Sequence, residues 1–448
     1  MRLRNWDLGF GILRVLAVVS LLSVLSLAQA DGSQQNVLGR AGTFAIINAR
    51  IVTVSGEVIE NGTVLIQDGK IAGVGTGVQV PKGAETIDGK GLSVYPGMID
   101  AATHMGLSEV PLGGASTVDV AEVGDQNANA KAILGINPNS SHINVTRVAG
   151  ITTVLSFPTG GTIAGQAAVI NLWGSTQDQM SVDPTFGLVI NFPRVAAFGG
   201  FRFGRVDFNE LVRRRDQRLE ELKKTFRDAE AYARISDAYK ADKTLPAPVT
   251  DVRLEALTPY IRGQKPVIFT AERERDILAV IKFVEEYKLK AIIVGGQEAW
   301  KAAAGLKKNN IAVIYTNSFN LPVQDDDAYD SLWEAPSKMA KAGIKFAIST
   351  GEDGGNVRDL PYQAGMTAGY GLSKDDALKA VTLYPAEILG IADKYGSIET
   401  GKIANIVVAT GDILEPRTDV KYLFINGRMI PLTSRHTELF ERFKDREK

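Results

Sequence analysis

The 448-residue sequence contains no cysteine and only three histidines. The lack of cysteine excludes disulfide bonds, thiolate metal ligands and a cysteine nucleophile. An excess of either charge is missing too, because 50 Lys and Arg residues are interleaved with 51 Asp and Glu residues. The sequence therefore predicts no basic surface of the kind that binds nucleic acid.

Long apolar runs are also scarce, and the most pronounced one lies at the amino terminus. Three arginines precede an apolar run at residues 15–28, which ends in the small residues of Ala28-Gln29-Ala30. A basic start, a short apolar core and small residues at the end are typical of a secretory signal peptide. We therefore expect residues 1–30 to be removed and the mature protein to be periplasmic or secreted, without membrane contact. An uncleaved membrane anchor is the alternative.

Two segments at the ends of the mature chain have the texture of short β-strands. In residues 43–95, β-branched residues alternate with the turn pairs Asn61-Gly62 and Asp68-Gly69, and residues 397–430 repeat this pattern. Such alternation predicts strands that are connected by hairpins. We expect the two segments to form one β-sandwich, followed by a charged tail at residues 433–448.

The central segment, residues 96–391, alternates short apolar runs with helical patterns. For example, "KPVIFTA" is followed by "ERDILAVIKFVEEYK", in which apolar residues recur at helical spacing. Repetition of this unit over nearly 300 residues predicts an α/β fold with a TIM (β/α)8-like barrel. An open doubly wound sheet stays an alternative, because periodicity alone does not close a barrel.

Several motifs along the chain are specific in combination. They are "INARIVTVSGEVIENGTVLIQDGKIAGVG", "VYPGMIDAATHMG", "RVAGITTVLSFPTGG" and "ALKAVTLYPAEILGIADKYGSIETGKIANIVV". With them the chain resembles the amidohydrolase superfamily, in particular its imidazolonepropionase-like group. The resemblance implies a TIM barrel with a composite β-sandwich, and by ancestry the hydrolysis of non-peptide carbon-nitrogen bonds by metal-bound water.

The resemblance also implies positions for metal ligands, and most of them carry other residues here. Ala102 stands at the first position of the family's His-x-His pair, and His104 retains the second. Thr270 and Gly295 stand where two further histidines are expected, and Gly351 stands in place of an aspartate. No lysine in "FGLVINFPR" corresponds to the bridging lysine of the family. We therefore predict no metal ligand set.

The remaining polar residues at the implied barrel mouth are the candidate site. The candidate catalytic residues are Asp100, His104, Glu352 and Asp353, and the candidate ligand-binding residues are Thr270, Glu272 and Arg273. His142 precedes a strand and is expected at the opposite end of the barrel, and His436 lies in the charged tail. No cofactor is predicted, and any site at His104 would be a weak, oxygen-rich one that suits Mg²⁺ or Ca²⁺ better than zinc.

These observations favour an exported, catalytically impaired member of the family that binds a small molecule or a protein partner. The expected partner is a second copy of the chain or an intact relative. Two alternatives stay open, because a fold does not determine a function. One is an active hydrolase of cyclic amides, imides or dipeptides with an atypical or absent metal site. The other is a structural subunit of an envelope complex.

Overall fold

The computed structural model describes residues 38–110, 118–195, 207–322, 327–351 and 354–446. The expected signal peptide and its cleavage site lie outside these residues, and so do the candidate residues Glu352 and Asp353. Within the described ranges, no helix has both the length and the apolar character needed to cross a membrane.

The first sheet combines strands from both ends of the chain. Its members are β1 (Phe44–Ile51), β2 (Ile59–Gln67), β3 (Lys70–Gly75), β4 (Glu85–Asp88), β5 (Ser93–Pro96), β14 (Ile406–Ala409), β15 (Val420–Ile425) and β16 (Arg428–Ile430). The order is β16-β15-β14-β5-β1-β2-β3, with β4 paired to β1. Because β14 pairs antiparallel with β5, the two terminal segments form one β-domain, as predicted.

The second sheet has eight strands that follow each other in sequence order. They are β6 (Met98–Thr103), β7 (Ile151–Ser156), β8 (Ile163–Asn171), β9 (Ser181–Asn191), β10 (Val267–Ala271), β11 (Ala291–Gly295), β12 (Ala312–Tyr315) and β13 (Phe346–Ile348). The backbone N–H of Gly351, just after β13, donates to the carbonyl oxygen of Ala102 in β6 at 3.1 Å. The sheet is thus a nearly closed barrel, and the predicted fold class is confirmed.

One barrel strand departs from the parallel arrangement that we predicted. Strand β8 pairs antiparallel with both β7 and β9, whereas the other neighbouring pairs are parallel. Gly160 and Gly161, in the short β7–β8 connection, both have positive φ, which glycine adopts without steric cost. The chain therefore reverses in a tight turn here, and no crossover helix is needed.

Helices cover the outside of the barrel and extend from it. They are α1 (Ala132–Gly135), α2 (Ser141–Arg147), α3 (Gln177–Met180), α4 (Phe208–Ala241), α5 (Val252–Ile261), α6 (Glu274–Tyr287), α7 (Ala303–Lys308), α8 (Ser331–Lys341), α9 (Leu360–Gly369), α10 (Lys374–Lys379), α11 (Leu383–Ile388) and α12 (Arg435–Phe443). Helix α12 forms within the segment that we expected to be a charged tail. It begins at a capping box in which Ser434 and Thr437 satisfy each other's backbone N–H groups.

A buried network of polar side chains fixes the first sheet to the barrel. The Oδ1 atom of Asn171, at the end of β8, accepts hydrogen bonds from Thr153 Oγ1 at 2.8 Å and Asn405 Nδ2 at 3.1 Å. The Nδ2 atom of Asn171 donates to Asn426 Oδ1 at 3.0 Å. Since hydrogen-bonded polar networks in the interior require specific geometry, this network sets the orientation of the two sheets.

The barrel interior follows the period of two that is inherent in β-strands. Ile268, Ile292 and Ile314 come from β10, β11 and β12 and belong to one buried apolar cluster. Two residues further along β10, at Thr270, the same face of the strand approaches its carboxyl end. The alternation therefore decides which side chains of β10 reach the mouth. Glu272, directly after the end of β10, continues this alternation.

Candidate functional site

Asp100 ties the first barrel strand to the last. Its carboxylate accepts hydrogen bonds from Ser349 Oγ, from Thr350 Oγ1 at 2.6 Å, and from the backbone N–H groups of Thr350 and Ala102 at 3.3 Å. The side chain is fully buried, and this burial raises its pKa to about 6 although the hydrogen bonds from Ser349 and Thr350 oppose the shift. Because the carboxylate oxygens are engaged in this network, Asp100 acts as a structural tie between β6 and the residues after β13.

His104 is held at the end of β6 by the neighbouring strand. Its Nδ1 atom lies 2.8 Å from the carbonyl oxygen of Phe157, and the two rings are 4.7 Å apart. A carbonyl oxygen can only accept, so Nδ1 carries the hydrogen and Nε2 of the neutral ring keeps its lone pair. Metal-binding histidines are commonly oriented in this way. His104 therefore has the orientation of a ligand.

The positions that lack ligand side chains make other contacts. The hydroxyl of Thr270 donates to Asn191 Oδ1 at 3.3 Å across the β9–β10 pair. Gly351 has a φ of +68°, and a Cβ there would lie 2.8 Å from Cβ of Thr316. An aspartate at position 351 would therefore require both an unfavourable backbone conformation and a displacement of its neighbour.

Glu272 packs closely against Gly295 at the mouth. A Cβ added to Gly295 would lie 2.7 Å from each of the three carboxyl atoms of Glu272, and the φ of Gly295 is +110°. The carboxyl group of Glu272 thus occupies the space that a histidine at position 295 would need. Within the described part of the chain, Oε2 of Glu272 is enclosed and has no hydrogen-bond partner. Burial raises the pKa of Glu272 to about 7, opposed by a hydrogen bond from the Gln297 backbone and by the charge of Arg194.

Arg273 does not join Thr270 and Glu272 at the mouth. It is the residue before α6, and it lines a separate small cavity of about 100 Å³ together with Glu298 and Trp300. Of the three predicted ligand-binding residues, Thr270 and Glu272 lie at the mouth and Arg273 does not. The reason is that the strand ends at Ala271, and the chain turns away as the helix begins.

His142 lies on the carboxyl-end side of the barrel, so the prediction that it lies at the opposite end is wrong. Its Nε2 atom contacts the carbonyl oxygen of Glu109 at 2.8 Å, and its Cβ would be 2.8 Å from a Cβ on Gly354. Glu109 follows β6 and Gly354 follows β13. His142 is the second residue of α2, which starts on this side and carries the chain about 10 Å back to the start of β7.

The third histidine also lies away from His104. His436, in α12, accepts a hydrogen bond at Nδ1 from Nη1 of Arg358 at 3.1 Å. His142 and His436 line the same cavity, and the described lining of that cavity does not include His104. The three histidines of the chain are therefore not one ligand cluster.

The donor atoms that the described residues offer at the mouth do not make up the ligand set of a catalytic zinc. Over the described ranges, no three His, Asp or Glu side chains are grouped so that they could hold a metal ion. Among the described candidate residues, the available atoms are Nε2 of His104 and Oε2 of Glu272, while the Asp100 oxygens are engaged. A catalytic zinc takes about three protein ligands and an open position.

Three polar residues at the strand ends were not singled out from the sequence. Asn191 ends β9, while Ser349 and Thr350 follow β13. Each of them contacts a candidate residue, since Asn191 binds Thr270 and the other two bind Asp100. The signal that could have identified them is their place at the end of an apolar run, where side chains of a barrel reach the mouth.

Comparisons with known proteins agree with this architecture. A model of the Amidohydrolase family matches residues 302–430. Imidazolonepropionase from Geobacillus sp. (strain WCH70) is 25% identical over 411 residues, which cover 84% of this chain and 90% of that protein. Amidohydrolase tasK from Hapsidospora irregularis is 24% identical over 394 residues, which cover 82% of this chain but only 39% of that protein. D-hydantoinase from Geobacillus stearothermophilus is 44% identical over 82 residues, or 18% of this chain and 16% of that protein.

The fold has a solved counterpart. An amidohydrolase from Thermotoga maritima MSB8 superposes with a TM-score of 0.76 at 25% identity, covering 87% of this chain and 99% of that one. A nearly closed barrel combined with a β-domain from both chain ends defines the composite α/β class to which such hydrolases belong. The chain belongs to the amidohydrolase superfamily, and by homology it descends from hydrolases.

Proposed function

We propose that this protein is an exported member of the amidohydrolase superfamily whose barrel no longer supports metal-dependent hydrolysis and instead binds a small molecule or a protein partner. The observation that carries the proposal is the contact between Glu272 and Gly295. The carboxyl group of Glu272 fills the space beside Gly295, where the family resemblance implies the side chain of a metal ligand. If the loss of a ligand had left an empty space, one substitution could restore that ligand. Here the side chain of Glu272 already occupies the space.

The opposite side of the mouth supports the same conclusion. Ala102 and Gly351, which stand at two other ligand positions, are joined by a backbone hydrogen bond of 3.1 Å. The carboxylate of Asp100 accepts hydrogen bonds from Thr350 and from the residue next to it, so its oxygens are engaged. Without a metal, the barrel lacks both an acidified water molecule and a Lewis acid at the substrate carbonyl, which together contribute several kcal/mol to transition-state stabilisation.

A second candidate function is hydrolysis without a metal, and one feature favours it. A general base works best when its pKa is near the pH of the reaction, and the pKa of Glu272 is raised to about 7 by burial. In this case the carboxylate of Glu272 would accept the proton of an attacking water. Substrates in this case would be cyclic amides or imides, as the names of the imidazolonepropionase and hydantoinase relatives suggest.

The place of action and the partner are part of the same proposal. The signal-peptide pattern at residues 1–30 supports export to the periplasm or the medium. The expected partner is a second copy of this chain or an intact amidohydrolase relative. A structural role in an envelope complex would follow if the barrel bound no small molecule.

Two measurements on the purified protein test the proposal. The first is elemental analysis after dialysis, where we expect no near-stoichiometric transition metal. The second is a hydrolysis assay on hydantoin, a cyclic imide and a dipeptide, with zinc, with manganese and without metal, for the wild type, Glu272→Gln and the exposed control Glu57→Gln. We expect turnover at background in every case. A compound that binds the barrel should raise the melting temperature of the protein without being turned over, because a ligand that binds the folded state stabilises it.

Each alternative predicts a different result. Metal-dependent turnover, or a bound stoichiometric metal, would overturn the proposal. Turnover without metal that disappears in Glu272→Gln but persists in Glu57→Gln would establish the second candidate. A Glu352→Ala/Asp353→Ala variant extends the test to the two candidate residues that lie outside the described ranges, and loss of turnover there would assign the base to that segment.

A further inference from the structure

One cavity on the carboxyl-end side of the barrel is lined by residues other than those at the mouth. It has a volume of about 610 Å³ and is bordered by residues after β6, the start of α2, residues after β13 and the start of α12. This volume is in the range of pockets that bind small molecules. None of the residues described above at the mouth, from Asp100 to Glu272, lines it.

Basic side chains dominate this cavity. Arg358 and Arg435 contribute two guanidinium groups, and His142 and His436 contribute two imidazoles. Among the described lining residues the one carboxylate is that of Glu109, and its Oε1 atom already accepts a hydrogen bond from the side chain of Asn137 at 3.3 Å. The described lining residues therefore carry a net positive charge.

Within the described ranges, only one of the two guanidinium groups takes part in an ion pair. Arg435 has no ion pair or side-chain hydrogen bond within the described ranges, and Arg358 is 3.7 Å from the adjacent Asp359. Arg358 donates to Nδ1 of His436, which leaves Nε2–H of this ring as a further donor. Nε2 of His142 donates to the carbonyl oxygen of Glu109, which fixes this ring in the wall of the cavity.

We propose that this cavity binds a small organic anion through a carboxylate or phosphate group, which Arg358 and Arg435 hold. Guanidinium groups bind such anions through paired, charge-assisted hydrogen bonds, which are about twice as strong as neutral ones. Helix α12 supplies Arg435 and His436, and it begins beyond residue 430, where the match to the family model ends. The site is therefore built in part by an element that lies outside the matched region.

Titrations with inorganic phosphate and with citrate, monitored by calorimetry, test this proposal on the full chain. We expect saturable binding of at least one of these anions at one site per chain. The Arg358→Gln/Arg435→Gln variant should bind it at least about tenfold more weakly, because both charge-assisted contacts are removed. The control variant Arg218→Gln/Arg234→Gln removes two exposed arginines of α4, which does not line the cavity, and should bind like the wild type.

The small number of histidines provides a second readout that does not depend on variants. The chain has three imidazoles, so its histidine ring signals in NMR spectra can be assigned by single His→Gln substitutions. Binding in this cavity should shift the signals of His142 and His436 and leave that of His104 unchanged. Absence of saturable binding for both anions, equal weakening in the control variant, or a shift at His104 alone would each refute the proposal.

Discussion

The enclosed carboxyl group of Glu272 should make the stability of the protein depend on pH. Glu272 has a pKa of 4.5 in an unfolded chain and about 7 in the folded protein, because burial disfavours its charged form. At 1.36 kcal/mol per pKa unit, the difference corresponds to about 3 kcal/mol. The folded state binds the proton of Glu272 more tightly than the unfolded state does. The contribution of this proton to the free energy of unfolding is therefore complete below about pH 4.5 and is lost as the pH rises through about 7.

Glu272→Gln removes this titration and keeps the size of the side chain. We expect the variant to be more stable than the wild type by about 3 kcal/mol at about pH 8, and similar to it at about pH 4.5. Asp100 titrates in the same acidic window, but it is present in both proteins and cancels in the comparison. The measurement is the urea midpoint of each protein across this pH range, since a change in midpoint at constant slope reports stability.

A matched control separates burial from charge alone. Glu57→Gln removes an exposed glutamate between β1 and β2 of the first sheet. This variant should keep the same pH dependence of stability as the wild type. If the stabilities of Glu272→Gln and the wild type changed in parallel with pH, the reasoning would be refuted. Such a result would mean that ionisation of Glu272 does not destabilise the folded protein.

Three further outcomes are expected. Gly295→His should lower the melting temperature and bring no zinc into the protein, because its Cβ collides with Glu272, and Glu272→Ala in the same chain should recover part of the loss. Asp100→Ala should lower the free energy of unfolding by about 3 kcal/mol or more, measured by urea unfolding, because it leaves buried donors unpaired. Mass spectrometry of the mature protein from its native host should find Asp31 at the amino terminus, and an intact Met1 would contradict cleavage.

Much of the barrel could be predicted from the sequence because its strands are short apolar runs with helices between them. The reversal at β8 could not be predicted in full. "GGTIAGQ" indicates a tight turn, but the direction of the next strand depends on whether the chain continues into a helix. The positive φ values of Gly160 and Gly161 let β8 pair directly with β7. Local glycine geometry thus overrides the βα repeat at this point.

At the candidate site, the sequence identified positions but not contacts. The motif around residues 98–106 places Ala102 and His104 at the end of one strand, and alternation places Thr270 and Glu272 on one face. That Glu272 lies against Gly295 depends on the backbone of a neighbouring strand, whose φ of +110° no local pattern encodes. The wrong placement of His142 has a similar cause, because it depends on the path between β6 and α2.

At two of the positions where the family resemblance implies a metal ligand, the structure opposes a return of that ligand. At position 295 the obstacle is the carboxyl group of Glu272, and at position 351 it is the side chain of Thr316 together with a φ of +68°. The backbone hydrogen bond between Gly351 and Ala102 also helps to close the barrel. A side chain regained at position 295 or 351 would therefore disturb a contact that stabilises the fold. Because a catalytic zinc takes about three protein ligands, a return to such a centre would need several substitutions together, and those at positions 295 and 351 are unfavourable alone.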